Sequence, residues 1–256
     1  MWLKYEDVKV DDTIYVDESA RGCLAFSMIC CAVSVNELKS TDLKDAIIPD
    51  LKDGKKLSKA QRLKIFQRLK ETKVVNFKTV EVTPKQIDQM GMAKAWKFGI
   101  RQCIQELHLA NPPIKKYVPR KVLIDGGFCK VGELNGNFKV QSVIKGDNKF
   151  YGISAAGIIA KETHTLNVVK NVAELNETEK IHFEKILLAG SGYWHTQEHA
   201  DLLKKKIYTK FHRKSFNPLR SALYPEKHQP TTKRARFQDD DDEEIVPLPS
   251  KKNCLK

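Results

Sequence analysis

No apolar run in this chain approaches the roughly 18 residues that a helical membrane span needs. The longest, from Cys23 to Val35, is shorter and carries Ser27 and Ser34. Helical membrane channels and carriers are therefore excluded. Cysteine pairing of the C-x-x-C kind is also missing: the six cysteines stand at 23, 30, 31, 103, 129 and 254. That speaks against a zinc site. The start, Met1-Trp2-Leu3-Lys4-Tyr5-Glu6, has no basic stretch leading into an apolar one, so no secretory leader is expected. Without export, a disulfide framework does not suit a chain of this size. The cysteines read as small buried apolar residues, and the protein as intracellular, either cytoplasmic or nuclear.

What is present is a core-forming composition and a large positive charge. The chain has 256 residues, 41% of them hydrophobic, which suits one domain with a tail. Formal net charge is +13. From Tyr224 onward, seven basic residues face seven acidic ones, so the whole excess lies in residues 1–223. A domain this basic usually meets a polyanion, nucleic acid first among them. Simple solubility charge is the plainer reading.

Asp12 to Asp17 reads as a strand ending in carboxylates, followed by a turn at Arg21-Gly22. Cys23 to Val35 reads as a second, buried strand, and residues 37–57 as loop. Ser58 opens a helix whose apolar face is Leu63, Ile65, Phe66 and Leu69. Val74 to Val82 alternates as a third strand. Thr83-Pro84 is an N-cap with proline at the first helical position, and the helix it starts is expected to reach about His108. Val122 to Asp125 and Phe138 to Ile144 are two more strands. Ile153 to Val169 is a helix, and basic helical segments fill about 175–210. Strands first, then strands alternating with helices, predict an α/β domain with a mixed sheet. After Leu223 come a basic patch, Lys233 to Arg236, and six consecutive acids, Asp239 to Glu244. Residues 224–256 are thus expected to be a disordered tail.

Asp17-Glu18, Asp125 and Asp147 each lie at the end of a predicted strand, where α/β sheets build their sites. Brought together, four carboxylates repel one another unless cations neutralise them. Hard oxygen donors without a histidine partner point to Mg²⁺ or Mn²⁺. Asp is also a common turn residue, and Asp17 and Glu18 face opposite sides of a regular strand. Both can serve only if the chain turns there.

The motifs have a family likeness. Tyr15-Val16-Asp17-Glu18-Ser19-Ala20-Arg21-Gly22 resembles V-D-E-[AV]-G-R-G of the ribonuclease HII (type 2 ribonuclease H) family. Leu51 to Ser58 is similar to that family's L-x-D-S-K-K-L-S, and Val122 to Gly126 to its V-L-I-D-G. Lys145-Gly146-Asp147 with Ile153 to Lys161 resembles K-G-D and I-S-A-A-S-I-[IL]-A-K. Gly190-Ser191-Gly192-Tyr193 is similar to G-S-G-Y, and His212 to Leu219 to H-R-x-S-F-x-P-[VL]. The matches keep the family's order from about residue 12 to 223.

The resemblance implies a ribonuclease-H-like mixed five-stranded sheet flanked by helices, with a C-terminal helical region. It implies an endoribonuclease cutting the RNA strand of RNA·DNA hybrids, or ribonucleotides embedded in duplex DNA. Products would carry 5′-phosphate and 3′-hydroxyl ends. Asp17, Glu18, Asp125 and Asp147 would hold two divalent ions, Mg²⁺ or Mn²⁺. Arg21 and Gly22 would lie beside the ribose whose 2′-hydroxyl is read, Tyr193 would meet the ribonucleotide, and Lys55 and Lys56 would contact phosphates. The Ser215-Phe216 motif resembles bacterial members and favours a monomer.

Several positions depart from the pattern. Ala20 stands where the family has glycine, which is costly if that position needs positive φ. Gly54 replaces a serine, and Gly91 follows Ile87-Asp88 where many members have asparagine. Glu162 is an extra acid near the site, expected to face solvent rather than serve as a fifth ligand. Two other readings stay open: a DNA nuclease or resolvase on the same sheet, and a hybrid-binding module that does not cut.

Overall fold

The computed structural model describes residues 13–35, 57–72, 74–112, 120–127, 131, 134, 136–190 and 197–225. Within them lie five strands: β1 Ile14–Ser19, β2 Met28–Val35, β3 Val75–Val82, β4 Arg120–Asp125 and β5 Phe138–Val143. They form one mixed sheet in the order β3-β2-β1-β4-β5. β1, β2 and β3 pair antiparallel, whereas β1–β4 and β4–β5 are parallel. The helices are α1 Lys59–Thr72, α2 Pro84–Met90, α3 Met92–Ala110, α4 Tyr151–Ala173, α5 Glu177–Gly190, α6 Gln197–Lys204 and α7 Leu219–Leu223.

Period-two alternation divides the sheet's side chains between two cores. Tyr15, Ile29, Cys31, Val33 and Leu123 pack with Ile65, Phe66 and Leu69 of α1 and with the small residues opening α4. Ile14, Val16, Cys30, Ala32, Val122 and Ile124 pack against α2 and α3. Cys23, Cys30, Cys31 and Cys103 are buried thiols, as their composition implied; Cys129 and Cys254 lie outside the described residues. Burial first, then neighbouring charge, raises the Cys30 and Cys31 thiols well above their ordinary value, so they stay protonated.

Four sequence expectations need correction. β2 begins at Met28, not at Cys23, because residues 23–27 leave the sheet to pair with a distant segment: Ala25 bridges His212. The helix capped by Thr83 does not reach His108 in one piece. Thr83 and Gln86 form a reciprocal capping box, but the chain breaks at Gly91 (φ 75°, ψ 155°) and restarts as α3. Leu63 is exposed and contributes nothing to the buried face of α1, which is Ile65, Phe66 and Leu69.

Glu162 is the fourth correction. It does not face solvent: it is buried and ion-paired to Arg62 of α1, fastening α4 to that helix. Removing one partner of a buried pair strands the other charge. Arg62→Leu is therefore expected to cost about 3 kcal/mol. Arg62→Leu combined with Glu162→Leu should cost less than Arg62→Leu alone, which a urea-denaturation cycle would read directly.

The C-terminal region closes over a histidine pair. His212 Nδ1 accepts from the Thr209 amide at 3.0 Å, and His199 Nε2 lies 3.0 Å from His212 Nε2. Burial and then His199 push the His212 imidazole down to about 3. Unfolded, it titrates near about 6.5. The unfolded chain thus binds a proton that the folded chain refuses, so this contribution is complete above about pH 6.5 and is lost progressively as pH falls toward 3. From pH 7 to pH 5 we expect a loss of about 2 kcal/mol, read as a shift in the urea midpoint. His212→Asn should flatten that slope; an unchanged slope would assign it to other groups.

Candidate active site

The last parallel pair between β1 and β4 is Val16 with Ile124. One step further along that register come Asp17 and Asp125, at the open end of the ladder. β5, the next strand over, leads through Lys145, which is left-handed (φ 54°), into a short 3₁₀ turn at Gly146–Asn148 that carries Asp147. Sheet order thus has three neighbouring strands, β1, β4 and β5, each with an acid on it or on the turn that follows it.

Local contacts fix each acid. Asp17 lies against Gly157 of α4, so closely that a Cβ on Gly157 would fall 2.4 Å from Asp17 Oδ2. Its Oδ1 accepts from the Glu18 amide at 2.7 Å. Asp125 Oδ1 accepts from the Gly146 amide at 2.7 Å, tying the β4 end to the Asp147 turn. Gly146 has no room for a side chain: its Cβ would stand 2.6 Å from Ile153 Cδ1. Asn148 Nδ2 donates to Asp147 Oδ1 at 2.9 Å.

The acids act on one another through charge. Burial raises the Asp17 carboxyl well above the ordinary carboxylate range, and the charges of Glu18, Asp125 and Asp147 each raise it further. The Glu18 amide offsets only part of this. Among the described residues, no three acidic, histidine or cysteine side chains already stand together as a ready ion cage. The four acids are neighbours through charge rather than through a shared centre.

β1 stays regular through Ser19, with Asp17 opposite Cys31 and Glu18 opposite Cys30. The two acids accordingly leave on opposite faces, as a regular strand requires. They still feel each other because they are consecutive residues, past the end of the β1–β4 ladder although still paired to β2. The chain then turns at Ala20, whose φ of 68° is the left-handed conformation that an alanine occupies at a cost. Arg21 and Gly22 follow on an exposed turn. The Arg21 guanidinium stands 5.1 Å over the Trp96 ring and 3.8 Å from Glu18. Lys55, Lys56 and Tyr193 lie outside the described residues.

Reading the sequence residue by residue missed Arg213 as a site residue, although the His212-Arg213-Lys214-Ser215-Phe216 motif pointed to it. Arg213 is buried and donates to the carbonyls of Ala20, Arg21 and Phe26. It also missed Asp88, which accepts from the amides of Lys214 and Ser215 and so ties the motif to α2.

A family model described as ribonuclease HII matches residues 14–218. The ribonuclease HII of Francisella tularensis subsp. holarctica is 29% identical over 208 residues, covering 81% of this chain and 96% of that protein. Its counterpart from subsp. novicida is also 29% identical over 208 residues, covering 81% and 97%. Among solved structures, ribonuclease H2 from Pyrococcus horikoshii superposes with a TM-score of 0.61 at 20% identity, over 85% of this chain and 99% of that one. Bst-RNase HIII in complex with Mn²⁺ gives 0.61 at 15% identity, over 86% and 72%. At such identities the two structures speak for the fold.

Proposed function

The chain belongs to the ribonuclease HII family and is a ribonuclease H, an endoribonuclease of RNA·DNA hybrids; from that premise we propose that Asp17, Glu18, Asp125 and Asp147 are its catalytic carboxylates. One observation carries the assignment: the charges of Glu18, Asp125 and Asp147 all act on the half-buried Asp17, which lies against α4. The donor set suits hard divalent cations, since it is made of carboxylate oxygens, and a cation relieves the repulsion that now raises Asp17. These four residues would hold two ions, Mg²⁺ or Mn²⁺. Bound there, such ions supply Lewis-acid polarisation of the phosphate and charge stabilisation at the leaving 3′-oxygen.

The protein's own contribution is placement. Gly157 lets Asp17 approach α4, and the Gly146 amide holds Asp125 in one orientation. The turn at Arg21-Gly22, three residues on from Glu18, would offer backbone amides to a ribose 2′-hydroxyl, the group that separates RNA from DNA. Tyr193 is assigned to the ribonucleotide, and Lys55 and Lys56 to phosphates. Cleavage leaves 5′-phosphate and 3′-hydroxyl ends.

The test uses two labelled duplexes with Mg²⁺ or Mn²⁺: DNA carrying one ribonucleotide, and an all-RNA strand paired with DNA. Cutting that leaves 3′-hydroxyl ends supports the proposal. Tight binding with neither duplex cut, in either metal, would overturn it in favour of a non-catalytic binding module.

A further inference from the structure

Arg213 lies 192 residues from Arg21 in sequence and beside it in space. Its guanidinium reaches under the loop that follows β1. Nε donates to the Phe26 carbonyl at 3.0 Å, Nη1 to the Arg21 carbonyl at 2.8 Å and Nη2 to the Ala20 carbonyl at 2.7 Å. Phe216 covers the guanidinium, with its ring centroid 5.1 Å from Cζ. The loop is also held at its far side: the Arg213 amide donates to the Leu24 carbonyl at 2.8 Å, and the Phe26 amide to the Phe211 carbonyl at 2.7 Å. The anchoring segment is itself anchored. Asp88 accepts from the Lys214 and Ser215 amides at 2.9 and 2.8 Å and from the Ser215 hydroxyl at 2.6 Å.

Two residues in this loop hold conformations that side-chain-bearing residues seldom adopt: Ala20 at φ 68° and Phe26 at φ 68°. Both are residues whose carbonyls Arg213 binds. A planar fork of five N–H donors suits three fixed carbonyls in a way that a lysine ammonium does not. Pinning the carbonyls of residues 20 and 21 also fixes the peptide planes whose opposite edges are the amides of Arg21 and Gly22.

We infer that Arg213 is the positioning residue that sets the Ala20–Phe26 loop, and through it the selectivity for a ribonucleotide at the site. The inference rests on the proposed role of the Arg21-Gly22 turn. Selectivity is the sensitive quantity for a reason of register. In duplex DNA with one ribonucleotide, a single alignment brings a 2′-hydroxyl to the turn, so a displaced turn loses it. In an all-RNA strand every neighbouring alignment offers another ribose.

The experiment compares wild-type protein with Arg213→Ala and Arg213→Lys, well below their melting temperatures. First, amide hydrogen exchange is followed across residues 20–26. Arg213→Ala should speed it at least tenfold there and leave β4 and α4 unchanged. Second, kcat and KM are measured on the two duplexes. The ratio of kcat/KM for the single-ribonucleotide duplex to that for the all-RNA hybrid should fall at least tenfold. Arg213→Lys should show the same direction, and added guanidinium ion should partly restore Arg213→Ala. Lysine carries the comparison if the alanine variant does not fold. Equal losses on both substrates, or unchanged exchange in the loop, would overturn the inference and leave Arg213 a structural residue. Failure of the wild-type protein to cut either duplex would instead sink the functional reading. The exchange result would still decide whether Arg213 sets the loop.

Discussion

Asp125→Asn is expected to abolish cleavage of both duplexes, by roughly a thousandfold or more in kcat, while raising stability in metal-free buffer. The two halves of this expectation have one cause. Asp125 contributes a negative charge that raises the half-buried Asp17, and its Oδ1 accepts from the Gly146 amide. Asparagine keeps the acceptor oxygen, so the Asp147 turn stays in place, and it removes the charge. Repulsion at Asp17 falls, and the melting temperature should rise by about 2 °C for each kcal/mol gained. What is lost is a ligand of the proposed ions. Duplex binding should persist, because the substitution leaves every basic residue of a chain of net charge +13 in place. If Asp125→Asn cut at the wild-type rate, the carboxylate assignment would fail. If it lost activity together with stability, Asp125 would be a structural residue.

How far the site could be read from sequence depended on whether a residue's partner lay nearby in the chain. The four proposed carboxylates have local signatures near the ends of predicted strands, and those strands are neighbours in the sheet, although only Asp125 closes one: Asp17 and Glu18 lie within β1 and Asp147 on the turn after β5. Thr83 was legible as a cap because Gln86 lies within the same turn. The break at Gly91 was not. Apolar spacing continues across it from Ile87 to Ala95 and Trp96, all buried, and only the backbone angle of Gly91 separates α2 from α3.

Residues 23–27 look like the start of β2, since every second-strand criterion is met there. Their true partners are residues 211–213, almost two hundred positions away. Glu162 looked exposed because an acid on a helix usually is; its partner Arg62 lies 100 positions back. Non-local pairing of this kind leaves no periodic trace in a single sequence. Ala20 sits between the two cases. The family comparison marked the position as one needing glycine, and the φ of 68° agrees. The carbonyl anchors that hold it there come from the far end of the domain.

The small residues at the start of α4 yield the second large effect, as a contrast between two identical substitutions. In an exposed helix interior, Gly→Ala stabilises by about 1 kcal/mol. Both Gly152 and Gly157 face β1, so the added methyl meets a wall. At Gly152 the wall is the Tyr15 ring, with Cγ and Cδ2 2.2 Å from the new Cβ. Tyr15 is buried between the sheet and α4, so the ring cannot withdraw. Gly152→Ala should therefore cost about 4 kcal/mol or more, at the upper end for overpacking, and lower the urea midpoint accordingly. At Gly157 the nearest atom is Asp17 Oδ2, the tip of a side chain that can rotate. Stability should barely change, because a shifted carboxylate relieves the clash and the helix gains from alanine. Activity should fall roughly a hundredfold, because a displacement of about 1 Å at a reacting group is enough for that. The pair separates packing from chemistry at two glycines of one helix, five positions apart, that both meet β1. A Gly157→Ala protein that melted early, or a Gly152→Ala protein that melted normally, would contradict the placement of α4 against β1.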